Sequence, residues 1–161
     1  MNADAQDFDE WYSEVHRQLV SAVVAVFGDL DLARESADEA CVRAYERWAG
    51  VAEMDSPNGW AVRVALNVAK RKRRRGALER TLLRNAERRH VEGPVWELWD
   101  VVAKLPARQR QAVALRHVMQ LSEAEVASVM GISRGGVSST LRAAYRSLEV
   151  HMSEEGSTAH A

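Results

Sequence analysis

Near the end of a 161-residue chain, Arg134, Ser138, Ser139, Arg142 and Arg146 share the exposed face of a helix that opens at Ser133. Arginine can bond a guanine edge bidentately or grip a phosphate, and serine suits either partner, so this row has the chemistry of duplex contact. A second cationic group, KRKRRR at 70–75, offers charge to a polyanion. Catalysis would need convergent polar groups, and no pattern supplies them. His16, His90, His117, His151 and His160 lie far apart, without metal-ligand spacing. No glycine-rich phosphate loop is present; Gly135 and Gly136 lack the flanking pattern of one. Cys41 stands on an apolar stripe, where a small buried residue packs, and Asp38 with Glu39 reads as surface or as a docking face. The chain is therefore expected to hold no catalytic residue, metal or cofactor, and not to be an enzyme.

Helices must position these groups. Nine glycines and three prolines are too few for many turns. Phe8, Trp11, Tyr12, Val15, Leu19, Ala22, Val23 and Val26 recur at three- and four-residue steps, predicting a first helix that stops at Gly28. A second follows Asp29 or Asp31. Its inner stripe is Ala33, Ala37, Ala40, Cys41, Ala44, Tyr45 and Trp48, and its outer face holds Arg34, Glu35, Asp38, Glu39, Arg43, Glu46 and Arg47. Residues 50–55 read as a loop. Ser56 followed by Pro57 signals a third helix, apolar on nearly every side through Val68 before it enters the basic run. Residues 76–94 are polar and arginine-rich, a linker with marginal helix around 77–90. Val95, Leu98, Trp99, Val102 and Leu105 then share a face up to Pro106, and RQRQAVALRHVM resumes as another helix.

The last two helices form the decisive pair. Ser122 with Glu125 makes a capping box, Gly131 ends that helix, and Ser133 starts the final one, expected to run to about Val150. Ala127 is the small residue a steep crossing needs, with Val126, Met130, Ile132, Val137 and Leu141 as the shared core. A DNA-reading helix-turn-helix fits, and so does plain packing of two helices across a tight turn; the glycine, small residue and capping box in register favour the first.

Charge is strongly segregated beneath a net of −1. Residues 1–60 hold 4 basic and 13 acidic side chains, residues 61–94 hold 11 and 3, and residues 95–150 hold 7 and 5. One cysteine excludes an internal disulfide and fits a reducing compartment. The acidic start MNADAQDFDEWY lacks the order of a signal peptide, and the longest apolar run, LVSAVVAVF at 19–27, is far below the ~20 residues that span a bilayer. A cytoplasmic protein without membrane insertion is expected.

Taken together, LPARQRQAVALRHVMQLSEAEVASVMGISRGGVSSTLRAAYRSL resembles region 4 of the extracytoplasmic-function (ECF) sigma factors of bacterial RNA polymerase. DLARESADEACVRAYERW followed by SPNGWAVRVALNVAKRKRRR resembles their region 2. The resemblance spans roughly residues 8–150 and implies an all-α protein of two small helical domains on a short basic linker. These are a region 2 bundle at 6–75, a linker at 76–94 and a region 4 helix-turn-helix at 95–150, with a frayed tail at 151–161. It implies a specificity subunit that recruits core RNA polymerase, through the β′ clamp and the β flap, to promoter DNA and melts it. Docking would use Arg34, Glu35, Asp38, Glu39 and Arg43. The −10 element would meet Trp60, Arg63, Asn67, Lys70, Arg71 and Arg74, and the −35 element Arg134, Ser138, Ser139, Arg142 and Arg146. Family members are commonly held by an anti-sigma factor, a further possible partner.

Several residues depart from the family pattern: Asp38 stands where glutamine is common, Arg71 where many members carry aspartate, and Ser138 where lysine or arginine is frequent; Ser36 and Cys41 are smaller than usual. They point to a promoter sequence of the chain's own. Two other readings stay open, a self-sufficient helix-turn-helix regulator and a protein-binding adaptor. No heptad seam supports the pairing by symmetry that a palindrome-reading regulator would use.

Overall fold

The computed structural model describes residues 3–80 and 96–158. All elements among them are helical, gathered in two compact units. Residues 81–95, which include His90, Val95 and most of the expected linker, lie outside the described residues, as do His160 and the side chains of Leu98 and Trp99.

The first unit contains α1 (Ala3–Phe27), α2 (Leu30–Glu46), α3 (Trp48–Ala52) and α4 (Pro57–Arg80). Gly28 ends α1 in the left-handed region at φ 69°, a conformation glycine adopts without strain. Asp29 caps α2 by accepting the Leu32 N–H at 2.9 Å, and Ser56 caps α4 by accepting the Gly59 N–H at 3.1 Å. Residues 48–52, part of them expected as loop, instead form the single helical turn α3, whose Val51 is buried.

α2 packs against both α1 and α4. Its inner stripe is almost pure alanine: Ala33, Ala37, Ala40 and Ala44 are fully buried, with Cys41 and Ser36 beside them. Small side chains let the neighbouring backbones approach closely, so the bulk of the core comes from Val15, Leu19 and Val23 on α1 and Val62, Leu66 and Val68 on α4. Truncating Leu19 or Leu66 to alanine would cost about 2–5 kcal/mol. Phe8, Trp11, Tyr12, Tyr45 and Trp48 cluster at one end, with ring centroids 5.0–5.9 Å apart. The Trp11 indole donates to Asn58 Oδ1 at 2.7 Å and so ties the start of α4 to α1.

The second unit contains α5 (Trp96–Ala103), α6 (Ala107–Val113), α7 (Glu123–Met130) and α8 (Arg134–Thr158). α6 runs into a π-helical turn over Ala114–Val118, where the Met119 N–H reaches back five residues to the Ala114 carbonyl at 3.2 Å. Gln120 leaves the helix at φ 55°, and Arg116 spans the exit by donating to the Leu121 carbonyl at 2.8 Å. The capping box forms in full: Glu125 N–H to Ser122 Oγ at 3.3 Å, and Ser122 N–H to Glu125 Oε2 at 2.7 Å. Gly131 closes α7 at φ 66°, ψ 38°, with the Ile132 N–H on the Ala127 carbonyl. Val126, Ala127, Val137 and Leu141 form the buried seam between α7 and α8, while Met130 and Ile132, expected in it, are only half-buried at its rim. α8 continues to Thr158, beyond the expected end at Val150. No helix among the described residues is long and apolar enough to cross a membrane.

Candidate nucleic-acid interface

Ser133 begins the surface of α8 by accepting the Gly136 N–H at 3.0 Å, which leaves other first-turn amides turned outward. Arg134, Ser138, Arg142 and Arg146 then follow at four-residue steps, so they stand in one row. The three arginines are exposed and form no ion pair among the described residues. Ser139 flanks the row, exposed, at the edge of an open recess shared with Pro106, Ala107, Arg108 and Gln109. Ser138 is half-buried and donates to Glu123 Oε2 of α7 at 2.5 Å. Sequence reasoning missed both Arg108 and Glu123. Glu123 follows the capping Ser122 directly, and no spacing rule pairs it with Ser138.

On α4, Trp60, Arg63, Asn67, Lys70, Arg71 and Arg74 follow at three- and four-residue steps and line one side, opposite the buried Val62, Ala65 and Ala69. Trp60 is half-buried and the other five are exposed. The cations of the basic run are not equivalent. Arg71 donates to Glu39 Oε1 at 3.1 Å, Lys72 to Glu35 Oε2 at 2.9 Å, and the Arg73 guanidinium lies 5.7 Å from the centre of the Phe27 ring. Lys70, Arg74 and Arg75 form no ion pair among the described residues.

The outer face of α2 carries Arg34, Glu35 and Asp38 exposed, with Glu39 and Arg43 half-buried. Each acid already has an internal partner. Asp38 meets His16 Nε2 at 2.7 Å, Glu35 holds Lys72, and Glu39 holds both Arg43 and Arg71. This face also carries two exposed apolar side chains, Val42 opposite the alanine stripe and Tyr45 toward its edge, 57% and 63% exposed. Tyr45, expected on the inner stripe, instead lies at its margin, edge-on to Phe8 at 5.1 Å with most of the ring in solvent. The signal for Val42 was available, because helical periodicity sets it opposite the alanine stripe.

Cys41 is buried, and desolvation, aided by the nearby charge of Asp38, pushes its thiol up to about 12. Such a thiol is a packing group, with almost no thiolate at neutral pH. Among the described residues no group of three His, Cys, Asp or Glu side chains could hold a metal ion.

Known proteins share this arrangement. The family model Sigma-70 region 2 matches residues 11–79, and Sigma-70, region 4 matches residues 96–148. The RNA polymerase sigma-E factor of Streptomyces avermitilis is 28% identical over 149 residues, an alignment spanning 89% of this chain and 83% of that protein. The sigma-E factor of Streptomyces antibioticus is 31% identical over 118 residues, covering 70% and 66%. Among solved structures, the sigma factor RpoE in complex with the anti-sigma factor NepR from Bartonella quintana has a TM-score of 0.76 at 15% identity, over 92% of this chain and 98% of that one. CnrH in complex with the cytosolic domain of CnrY gives 0.62 at 20% identity, over 93% and 90%. With both region models matched in order and sigma-E factors aligned along most of its length, the chain belongs to the sigma-70 family as an ECF sigma factor, a non-catalytic subunit for promoter recognition and transcription initiation.

Proposed function

We propose that the two units divide the work of initiation by residue. The row Arg134, Ser138, Arg142 and Arg146, with Ser139 beside it, enters the major groove of the −35 element. The α4 side carrying Trp60, Arg63, Asn67, Lys70, Arg71 and Arg74 takes the −10 strand, with Trp60 toward an unstacked base and the cations along the backbone. Core polymerase docks through its β′ clamp on the outer face of α2, at Arg34, Glu35, Asp38, Glu39 and Arg43 around Val42 and Tyr45, and its β flap meets the second unit. The same surfaces are where an anti-sigma factor would compete, a reading supported by the two anti-sigma complexes whose fold this chain shares.

One observation carries this reading: three arginines, eight and four residues apart on one face of a capped helix-turn-helix helix, form no ion pair among the described residues. Cations left unpaired in a row match the spacing and charge of a nucleic-acid backbone and groove. The test is reconstitution. Purified chain mixed at sub-micromolar concentration with core RNA polymerase should co-elute on size-exclusion chromatography and start transcripts at discrete sites. Tight sequence-dependent DNA binding without any affinity for core would favour a self-sufficient regulator instead.

A further inference from the structure

Of the five described serine and threonine side chains of α8, three bond back to their own helix. Thr140, Ser147 and Ser153 each donate back to the carbonyl four residues earlier, at 2.7, 3.1 and 2.7 Å. Ser138 does not. Its proton leaves the helix and goes to Glu123 Oε2 at 2.5 Å, the short range of a charge-assisted O–H to carboxylate bond. Glu123 is the first residue of α7, where the helix dipole favours a negative side chain. A carboxylate only accepts, so the hydroxyl must be the donor of the pair. Ser138 thus shows its other neighbours lone pairs alone, at the centre of a row whose flanking members are Arg134 and Arg142.

We propose that Glu123 sets the hydrogen-bonding polarity of Ser138, turning it into an acceptor that selects amino over keto bases at one position of the −35 element. This rests on the assignment of α8 to that element. In the major groove adenine and cytosine present an amino donor, N6 and N4, while guanine and thymine present O6 and O4 acceptors at the corresponding edge. An acceptor-only serine favours A or C on the strand it faces and disfavours G or T. Phosphate oxygens are acceptors too, so Ser138 is also removed from backbone contact, leaving that work to the arginines. Glu123 itself touches no base in this scheme; it is a positioning residue, and its effect appears only through Ser138.

The experiment uses holoenzyme reconstituted from core RNA polymerase and the full chain on a promoter library randomised across the −35 element, with transcripts counted by sequencing. Wild-type protein should show one position where A and C exceed G and T by about fivefold, the scale of one net hydrogen bond. Ser138→Ala should flatten that ratio at the same position and leave the other positions unchanged. Glu123→Ala frees the hydroxyl proton and should flatten it too, and the double variant should equal Ser138→Ala. Thermal melts of each variant are the folding control for the second unit, and co-elution with core controls for assembly. A wild-type ratio retained in Glu123→Ala, or an equal loss at every position, overturns the proposal while sparing the role of α8. A wild-type profile flat at all −35 positions overturns both.

Discussion

At the scale of single residues, the pair Gly135–Gly136 at the start of α8 shows how position decides the worth of a residue type. A Cβ at Gly135 would meet nothing closer than Ser133 Oγ at 4.0 Å, whereas one at Gly136 would press on that same oxygen at 3.3 Å, the atom that caps the helix. Gly135→Ala should therefore stabilise the second unit by about 0.5 kcal/mol, less than the full propensity gain because the site is in the first turn. Gly136→Ala should give no gain or a loss; chemical denaturation of both variants checks the ordering. Cys41 offers a pH signature. Its thiol titrates at about 12 in the folded chain against an ordinary 9.0, so the neutral form is the folded one. The stability this contributes is fully present below pH 9 and is lost as pH rises toward 12, because the unfolded chain releases its proton first. Unfolding curves across that window should fall more steeply for wild type than for Cys41→Ala, and parallel slopes would mean the thiol is not desolvated.

At the scale of elements, α2 is held by the same charges it offers to a partner. Glu39 links Arg43 on its own helix to Arg71 on α4, whereas Asp38 pairs with His16 and keeps 64% of its side chain exposed. Glu39→Lys would bring a third cation against Arg43 and Arg71 and should lower stability by about 1 kcal/mol, confusing any loss of docking. Asp38→Lys removes one exposed pair, so it should keep the melting temperature within a few degrees while weakening core binding about tenfold. Unchanged core affinity would move the docking surface away from this edge of α2. The helix starts of this fold were legible because caps are local rules: Asp29, Ser56–Pro57, Ser122 with Glu125, and Ser133 each act within a turn of their own helix. The pairings Glu39–Arg71 and Glu123–Ser138 were not legible, since they depend on how two helices are turned toward each other. The exposure of Tyr45 was missed for the same reason: a residue at the margin of a stripe goes in or out according to its neighbours. The π-turn at 114–118 had no local signal, and the extension of α8 past Val150 follows from the lack of any proline there.

At the scale of the whole molecule, the net charge of −1 conceals an acidic first sixty residues set against a basic α4. Part of that opposition is neutralised internally, since Glu35 and Glu39 hold Lys72 and Arg71. The carboxylates proposed to meet the polymerase are thus the ones that occupy two cations of the basic run. On the proposed docking surface, a partner that engages Glu35 and Glu39 would compete with those pairs and release Arg71 and Lys72, which would link docking to single-strand affinity through four side chains. The free chain should bind single-stranded DNA weakly, with Lys70, Arg74 and Arg75 doing most of the work. Converting both acids, Glu35→Gln with Glu39→Gln, should mimic the effect of docking on the cations without any polymerase. Two added phosphate contacts would steepen the dependence of log affinity on log salt by about 1.4, given a slope near −0.7 per contact on single strands. Fluorescence anisotropy on a labelled oligonucleotide between low and moderate salt measures this slope directly. An unchanged slope would mean that Arg71 and Lys72 lie off the path of the strand, and that α2 and α4 act independently in docking and in DNA capture.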